Sequence, residues 1–206
     1  MSNRFADIAF TPTVKAVQEK LGSRAAYARA ELVPEPYHNL PSAPEAEFIA
    51  ARDSFYMATV GETGWPYIQH RGGPSGFVRV LDERTLGFAD FRGNRQYISV
   101  GNLLTDDRVS LFFMDYANKT RLKLLGRAKA AGPDDAGVLE KLAVPGYRAA
   151  VERGLLITVE AFEWNCPQHI AERVTLEEVQ GMSATLLSRI ADLEAQLGAR
   201  EGGQDA

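Results

Sequence analysis

Short segments in which apolar and polar residues alternate dominate the middle of the chain. Alternation with a period of two gives a strand one buried face, and turn sequences such as Gly61-Glu-Thr-Gly64 separate the segments. Strands this short, joined by tight turns, favour an antiparallel barrel or sandwich over a parallel α/β sheet. The predicted strands are 55–60, 65–70, 77–81, 86–90, 109–114, 120–128 and 155–162.

Helical spacing is found mostly towards the two ends of the chain. Thr11 and Pro12 predict the start of a helix, with the threonine as cap and the proline in the first turn, and Gly22 predicts its end. The proline-rich residues 32–44 are expected to be extended. Further helices are predicted over 44–52, 96–104 and 133–142.

A long helix is predicted near the C-terminus. Thr175 and Glu178 have the spacing of a capping box, and Gly198 is its expected end. Between these positions, apolar residues recur at spacings of three and four, which is a heptad-like pattern. This stripe fits two arrangements, packing on the chain's own domain or contact across a dimer. Its members are Val179, Met182, Leu186, Ile190, Leu193 and Leu197.

Composition and charge narrow the class of protein. The net charge of −4 and the pI of about 5.5 argue against nucleic acid or an anionic membrane surface as a partner. The single cysteine, Cys166, excludes an intrachain disulfide and a multi-cysteine zinc site. Cys166 and His169 have metal-like spacing without a second pair of ligands, so no metal is predicted. Because the sequence shows no leader and no apolar run of membrane-spanning length, we expect a cytoplasmic protein.

Two clusters combine arginine with glycine and hydrogen-bonding side chains. One spans 69–76, and the other spans 90–96 and is followed by Ser99. Guanidinium forks beside exposed backbone N–H groups suit a phosphate dianion, and a helix beginning near Asn94 would add its N-terminal amides. Alternatively, the glycines serve turns and the arginines face water. The sequence contains neither a Gly-x-Gly-x-x-Gly nor a Gly-Lys-Ser/Thr motif, so a Rossmann or P-loop site is not expected.

An ordered series of motifs resembles the pyridoxamine 5′-phosphate oxidase-like, FMN-binding split-barrel family. The motifs are Phe55-Tyr-Met-Ala-Thr-Val, Gly64-Trp-Pro, His70-Arg-Gly-Gly, Gly76-Phe-Val-Arg-Val-Leu-Asp, Phe88-Ala-Asp-Phe-Arg-Gly-Asn, Asn102-Leu and Leu122-Lys-Leu-Leu-Gly-Arg-Ala. The segment Trp164-Asn-Cys-Pro-Gln-His-Ile is similar to the C-terminal signature of an uncharacterised branch. The resemblance covers residues 44–173, leaving an N-terminal helical and extended segment at 1–43 and a C-terminal helix with a frayed tail at 174–206.

The resemblance implies a mainly β fold, a six-stranded antiparallel Greek-key barrel with flanking helices, and a homodimer with FMN in clefts between subunits. Arg71 corresponds to the arginine that meets the FMN phosphate, and 94–99 corresponds to the phosphate clamp, in which a lysine is replaced. Residues 88–90 would offer backbone groups to the ring, and Trp164 would cover it from the neighbouring subunit. The implied FMN contacts are Arg71, Gly72, Phe88, Ala89, Asp90, Asn94, Arg95, Gln96, Ser99, Trp164 and Arg173.

The substrate end of the site departs from the family pattern. His169, with Cys166 nearby, lies where the true oxidases carry the arginine that binds the substrate phosphate. Histidine lacks the fixed fork and the permanent charge of arginine, so we expect pyridoxamine phosphate to be a poor substrate. An apolar packing role for this pair is the alternative.

The expected function is a flavin-dependent oxidoreductase that transfers a hydride between a nicotinamide or small organic substrate and FMN. No catalytic residue is assigned. One alternative is a non-catalytic FMN carrier or sensor. Another is a haem-handling split barrel, which the presence of only three histidines disfavours.

Overall fold

The computed structural model describes residues 3–32, 43–132, 134–164 and 167–201. The chain divides into two compact units. The larger comprises Met1–Asp115 and Thr120–Pro167, and the smaller comprises Tyr116–Lys119 and Gln168–Ala206.

Helices flank a run of strands along the sequence. The helices are α1 Arg4–Ala9, α2 Pro12–Lys20, α3 Arg24–Leu32, α4 Ala43–Ala50, α5 Ile98–Asn102, α6 Ala136–Leu142 and α7 Leu176–Glu201. The strands are β1 Ser54–Val60, β2 Pro66–Gly72, β3 Val78–Val80, β4 Thr85–Phe91, β5 Arg108–Asp115, β6 Thr120–Ala131 and β7 Val151–Trp164. Within the described part of the chain, no helix combines the length and apolar character needed to cross a bilayer.

The strands form one curled antiparallel sheet in the order β2-β1-β5-β6-β7-β4-β3. This half-barrel with flanking helices confirms the predicted fold class. The sheet has seven strands where the resemblance implied six, because the three-residue β3 adds a short edge beside β4. The other edge is β2, so β2 and β4 lie towards opposite ends of the strand order.

Aromatic side chains fill the concave side of the half-barrel. Phe55 on β1 stacks on Phe113 of β5 with 4.8 Å between ring centroids, and its edge-to-face contact with Phe88 of β4 measures 5.2 Å. All three rings are buried. Because Phe55 of β1 touches Phe88 of β4, four places away in the strand order, this contact stabilises the curl that brings the two ends of the sheet towards each other.

The predicted caps mark the starts of two helices correctly, whereas the helix predicted over 133–142 begins three residues later and ends where predicted. Thr11 caps α2, and Thr175 and Glu178 form the predicted capping box of α7. The helix α3 was not predicted, and α7 continues through Gly198 to Glu201, so the predicted end was wrong. A glycine inside a helix costs only about 1 kcal/mol, which neighbouring helix formers offset. Most of the segment predicted to be extended, 33–42, lies outside the described residues.

Candidate functional site

The curl of the sheet brings Arg71 of β2 against Asp90 of β4. Nη1 of Arg71 lies 2.6 Å from Oδ1 of Asp90, and both side chains are about nine-tenths buried. The two strands lie towards opposite ends of the sheet, so this ion pair spans the mouth of the half-barrel. Next to it, the buried hydroxyl of Ser99 donates a hydrogen bond of 2.9 Å to Oε1 of Gln69, which holds α5 against β2.

A cavity of about 270 Å³ opens beside this pair. Its walls come from β2, from the end of β4, from the loop that leads into α5 and from the start of β7. Of the residues expected to contact FMN, the structure brings Arg71, Asp90, Asn94, Arg95 and Ser99 together here. The complete lining is Gln69, Arg71, Asp90, Phe91, Gly93, Asn94, Arg95, Tyr97, Ser99, Val100 and Glu152.

Asp90 is shared between two arginines. Arg153 lies opposite Asp90 in the β4–β7 ladder, and its Nε is 3.5 Å from Oδ2 of Asp90. The Nε–H groups of Arg71 and Arg153 are buried and have no hydrogen-bond acceptor among the described residues. A buried donor without an acceptor costs about 1–3 kcal/mol, so these two arginines are held beside Asp90 at a cost in free energy.

Glu152 forms a second ionic cluster on the same wall. Arg92 Nε lies 3.1 Å from Oε1 of Glu152, Arg153 Nη2 lies 3.1 Å from Oε2, and the Tyr97 hydroxyl donates to Oε1 at 3.3 Å. Partial desolvation opposes ionisation of this carboxyl group. The hydrogen bonds from Arg92 and Tyr97 and the charge of Arg153 outweigh it and lower the pKa of Glu152. The glutamate is therefore ionised at neutral pH.

The charges of the ionic cluster at the cavity do not cancel. Four guanidinium groups pair with the two carboxylates of Asp90 and Glu152, which leaves the cluster with two positive charges in excess. Two of these arginines, Arg71 and Arg95, line the cavity together with both carboxylates, and the other two lie behind or beside its wall. A phosphate monoester carries about −1.5 to −2 at pH 7. The net positive charge of the whole cluster therefore fits a phosphate group in sign. The four arginines are Arg71, Arg92, Arg95 and Arg153.

The loop at the rim of the cavity has an unusual backbone. Arg95 and Tyr97 have φ angles of 60° and 56°, in the left-handed region that residues other than glycine rarely adopt. Residues in this conformation cannot belong to a right-handed helix, so α5 begins only at Ile98. The prediction of a helix start near Asn94 was wrong. Such backbone conformations cost about 1–3 kcal/mol each and cluster at binding sites.

Some of the expected FMN contacts lie outside this cavity. Phe88 is buried as a whole residue, with its ring in the core and its backbone between Val78 of β3 and Leu155 of β7. Three further residues do not line the cavity, although each is the direct chain neighbour of a lining residue. They are Gly72, Ala89 and Gln96. The pairing of β3 with β4 stops at Phe88. Ala89 is the next residue, and it pairs with Gly154 of β7 on the other side of β4.

Trp164 lies at the end of β7 and is held by α4. Its indole Nε1 donates a hydrogen bond of 2.6 Å to Oε1 of the buried Glu45, and its ring meets Phe48 edge-on at 4.8 Å. The side chain remains 38% exposed. Contacts within its own chain therefore fix the orientation of Trp164 and leave one face of the ring accessible. Trp164 does not line the cavity beside Arg71.

The remaining predicted residues belong to the smaller unit or lie outside the description. The Arg173 guanidinium stacks on the ring of Tyr116 at 5.0 Å. His169 is exposed and has a φ of 61°. Cys166 lies outside the described residues. Among the residues that the structure describes, no group of three or more His, Cys, Asp or Glu side chains could hold a metal.

Sequence reasoning did not identify Arg92, Tyr97, Glu152 and Arg153 as site residues. Arg92 and Tyr97 lie within or next to the second arginine cluster and could have been included on that ground. Glu152 and Arg153 lie about sixty residues further along the chain, and only the β4–β7 register places Glu152 at the cavity and Arg153 beside Asp90. The sequence around them contains no motif that signals this position.

Comparisons with known proteins place the larger unit in a family. A family model described as pyridoxamine 5′-phosphate oxidase matches residues 44–166. A search of curated proteins finds no match.

Three solved structures illustrate the structural similarity. HupZ from Group A Streptococcus is 18% identical, with a TM-score of 0.48 and coverage of 65% of this chain and 98% of that one. A putative pyridoxamine 5′-phosphate oxidase from Lactobacillus delbrueckii is 19% identical, with a TM-score of 0.46 and coverage of 62% and 96%. HutZ, titled a haem storage protein, from Vibrio cholerae is 14% identical, with a TM-score of 0.43 and coverage of 59% and 92%. Because the family model spans more than half of the sequence, this chain belongs to the pyridoxamine 5′-phosphate oxidase family.

Proposed function

We propose that this protein binds FMN and acts as an oxidoreductase, passing a hydride between a nicotinamide or small organic substrate and the flavin. The observation that carries the proposal is the cavity beside Arg71 and the ionic cluster at its wall, in which four arginines pair with two carboxylates. Family membership supports the same cofactor.

In this proposal the cavity holds the phosphate end of FMN. Arg71 supplies a charged group, and the side-chain amide of Asn94 supplies a neutral donor, while Ser99 positions the wall through its hydrogen bond to Gln69. The exposed Arg95 closes the rim. A site of this kind satisfies one terminal phosphate, which favours FMN over FAD.

When bound, the flavin supplies the hydride chemistry, and the residues described here bind and orient it. The isoalloxazine ring extends beyond a cavity of about 270 Å³. We propose that it lies along the Ala89–Asp90 end of β4 and that a second copy of the chain completes its cleft. Trp164 and Arg173 are proposed to contribute to the partner's flavin.

An apolar outer surface on β1 and β2 supports such a homodimer. Ile68 on the edge strand β2 is 64% exposed, and Trp65 in the preceding turn is 77% exposed. The outward-facing Tyr56 of β1 lies opposite His70 of β2. An unpaired strand edge with exposed apolar side chains invites association, and a second copy that covers it would remove this surface from water.

Flavin titration tests the cofactor. The purified protein is expected to quench the fluorescence of FMN on binding and to bind riboflavin at least about tenfold more weakly, because one charge-assisted hydrogen bond contributes about 1.5–3 kcal/mol. Equal affinity for riboflavin and FMN would contradict the phosphate site. Failure to bind FMN, together with a Soret band on adding haemin, would favour the haem-handling alternative.

Anaerobic reduction separates an enzyme from a flavin carrier. Adding NADH or NADPH to the FMN complex should bleach the flavin absorbance if the protein is an oxidoreductase with a nicotinamide donor. The colour should return when an acceptor is admitted. A complex that neither nicotinamide nor a panel of small organic donors reduces would support the carrier.

Pyridoxamine 5′-phosphate is expected to be oxidised slowly despite the family framework. His169 lies where the family's substrate-phosphate arginine is expected, and imidazole offers neither a bidentate fork nor a permanent charge. Steady-state oxidation should therefore show a high KM that falls in the variant His169→Arg. Rapid turnover with a micromolar KM in the unmodified protein would contradict this assignment.

A further inference from the structure

The helix α7 carries an apolar stripe that the described chain leaves exposed. It runs from Leu176 to Glu201, 26 residues, which corresponds to about 39 Å at 1.5 Å per residue. A helix with this many exposed large apolar side chains is stabilised when a partner covers them, because apolar surface is removed from water. The exposed residues are Leu176, Val179, Met182, Leu186, Leu187, Ile190 and Leu193, each between 43% and 82% exposed.

The stripe follows a strict heptad. Leu176, Ser183 and Ile190 repeat every seven residues at the position conventionally named a, and Val179, Leu186 and Leu193 repeat at position d. The spacing between neighbours in this series alternates between three and four. An apolar repeat of 3.5 residues stays in line only when the helix supercoils around another helix, so the pattern favours a helical partner over a β-sheet surface.

The residues beside the stripe indicate which helix that is. Positions g and e flank the seam, and in a parallel pair each g residue faces the e residue of the next heptad on the other helix. Here Met182 of one helix would face Leu187 of the other, and Arg189 of one helix would face Glu194 of the other. An apolar residue therefore meets an apolar residue, and a cation meets an anion. Because both helices are identical, each contact occurs twice.

An antiparallel arrangement has no such complementarity. It places g residues against g residues and e residues against e residues. Within 176–196 the g positions are Met182, Arg189 and Gln196, with no acid, and the e positions are Gln180, Leu187 and Glu194, with no base. No opposite charges would meet in either row.

We propose that α7 pairs in parallel with α7 of a second copy of this chain, as a two-stranded coiled coil of about three heptads. An isoleucine at a followed by leucine at d, as in Ile190 and Leu193, favours two strands. Ser183 is the one polar residue at an a position within 176–193 and is positioned to set the register. The inference goes beyond the flavin site and does not depend on it.

Disulfide trapping in the full-length protein tests the pairing. With the native thiol removed by Cys166→Ser, the variant Leu193→Cys places one thiol at the d position of each helix. In a parallel pair these two positions face each other, so mild oxidation should convert most of the protein to a covalent dimer. The control Ser188→Cys, at the outward f position of the same helix, should give only background cross-linking.

A Leu193→Cys variant that cross-links no more than Ser188→Cys would overturn the proposal. That result would leave the chain's own domain or an antiparallel partner as the cover for the stripe. Binding of FMN measured on the same samples keeps this outcome separate from the flavin proposal, because the two sets of residues do not overlap.

Charge reversal tests the orientation independently. In the Leu193→Cys background, Arg189→Glu places glutamate against Glu194 of the partner, and Glu194→Arg places arginine against Arg189 of the partner. Each variant alone should cross-link several-fold more slowly. A mixture of the two should form mixed covalent dimers in preference to either homodimer, because both cross-pairs are then complementary. Random assortment of the mixture would contradict parallel pairing.

Discussion

Replacing Arg71 with alanine is expected to weaken FMN binding about ten- to a hundredfold in a protein that is destabilised but still folded, because Arg153 remains beside Asp90. A charge-assisted hydrogen bond contributes about 1.5–3 kcal/mol, which corresponds to this change in Kd. Arg71 is the buried cation of the cavity wall and lies 2.6 Å from Asp90. Fluorescence titration with FMN gives the Kd, and thermal melting of the apo variant shows that the fold is retained.

Two further variants distinguish the guanidinium's geometry from its charge. Arg71→Lys keeps the charge and removes the planar fork, so its affinity should fall between that of the alanine variant and that of the unmodified protein. Arg79→Ala removes a half-buried arginine of β3 that does not line the cavity and should bind FMN normally. If Arg71→Ala retains full affinity, the phosphate lies elsewhere on the wall and Arg95 becomes the main candidate.

The substitution Asp90→Asn is expected to destabilise the apo protein and to increase the stabilisation that FMN provides. Oδ1 of Asp90 accepts a hydrogen bond of 2.6 Å from Nη1 of Arg71, and Oδ2 lies 3.5 Å from Nε of Arg153. All three side chains are at most 19% exposed. Breaking a buried ion pair by removing one partner typically costs about 3–5 kcal/mol, because the remaining charge is left uncompensated. Asparagine keeps one acceptor oxygen, so the loss should fall at the lower end of this range.

The FMN phosphate is proposed to supply the missing negative charge. The increase in Tm caused by FMN should therefore be larger in Asp90→Asn than in the unmodified protein, and the Kd for FMN should be lower. Asp107→Asn is the matched control, because Asp107 pairs with Arg127 at 2.7 Å on the surface, where such pairs contribute about 0–1 kcal/mol. If FMN raises the Tm of Asp90→Asn by no more than it raises the Tm of the unmodified protein, the proposed location of the phosphate is contradicted.

These two variants together describe how the site is built before the cofactor binds. Asp90 holds Arg71 and Arg153 in place and neutralises part of their charge. A side chain that is already ordered loses less conformational entropy when a ligand binds, which increases affinity. The same carboxylate also competes with the phosphate for Arg71. Asp90 thus limits the affinity that it helps to pre-organise.

The sequence by itself determined most elements of this fold, with α3 as an exception, and part of the site. Period-two alternation and tight turns depend on neighbouring residues, so strands such as β1 and β5 were predicted to within two residues of their ends. Capping is equally local, and Thr11 and Thr175 marked the starts of α2 and α7 correctly. The two arginine clusters also converge on one cavity, as their shared chemistry suggested.

Only the tertiary structure decided what each arginine touches. The salt bridge from Arg71 to Asp90 requires the sheet to curl until β2 and β4 meet, and curl depends on core packing between distant strands. Glu152 and Arg153 reach the site through the register of β7 against β4, which no local pattern encodes. The start of α5 likewise moved to Ile98, because Arg95 and Tyr97 adopt left-handed conformations that sequence propensity does not anticipate. Long-range pairing and packing outweighed local preference at these positions, and they are the ones that form the proposed phosphate site.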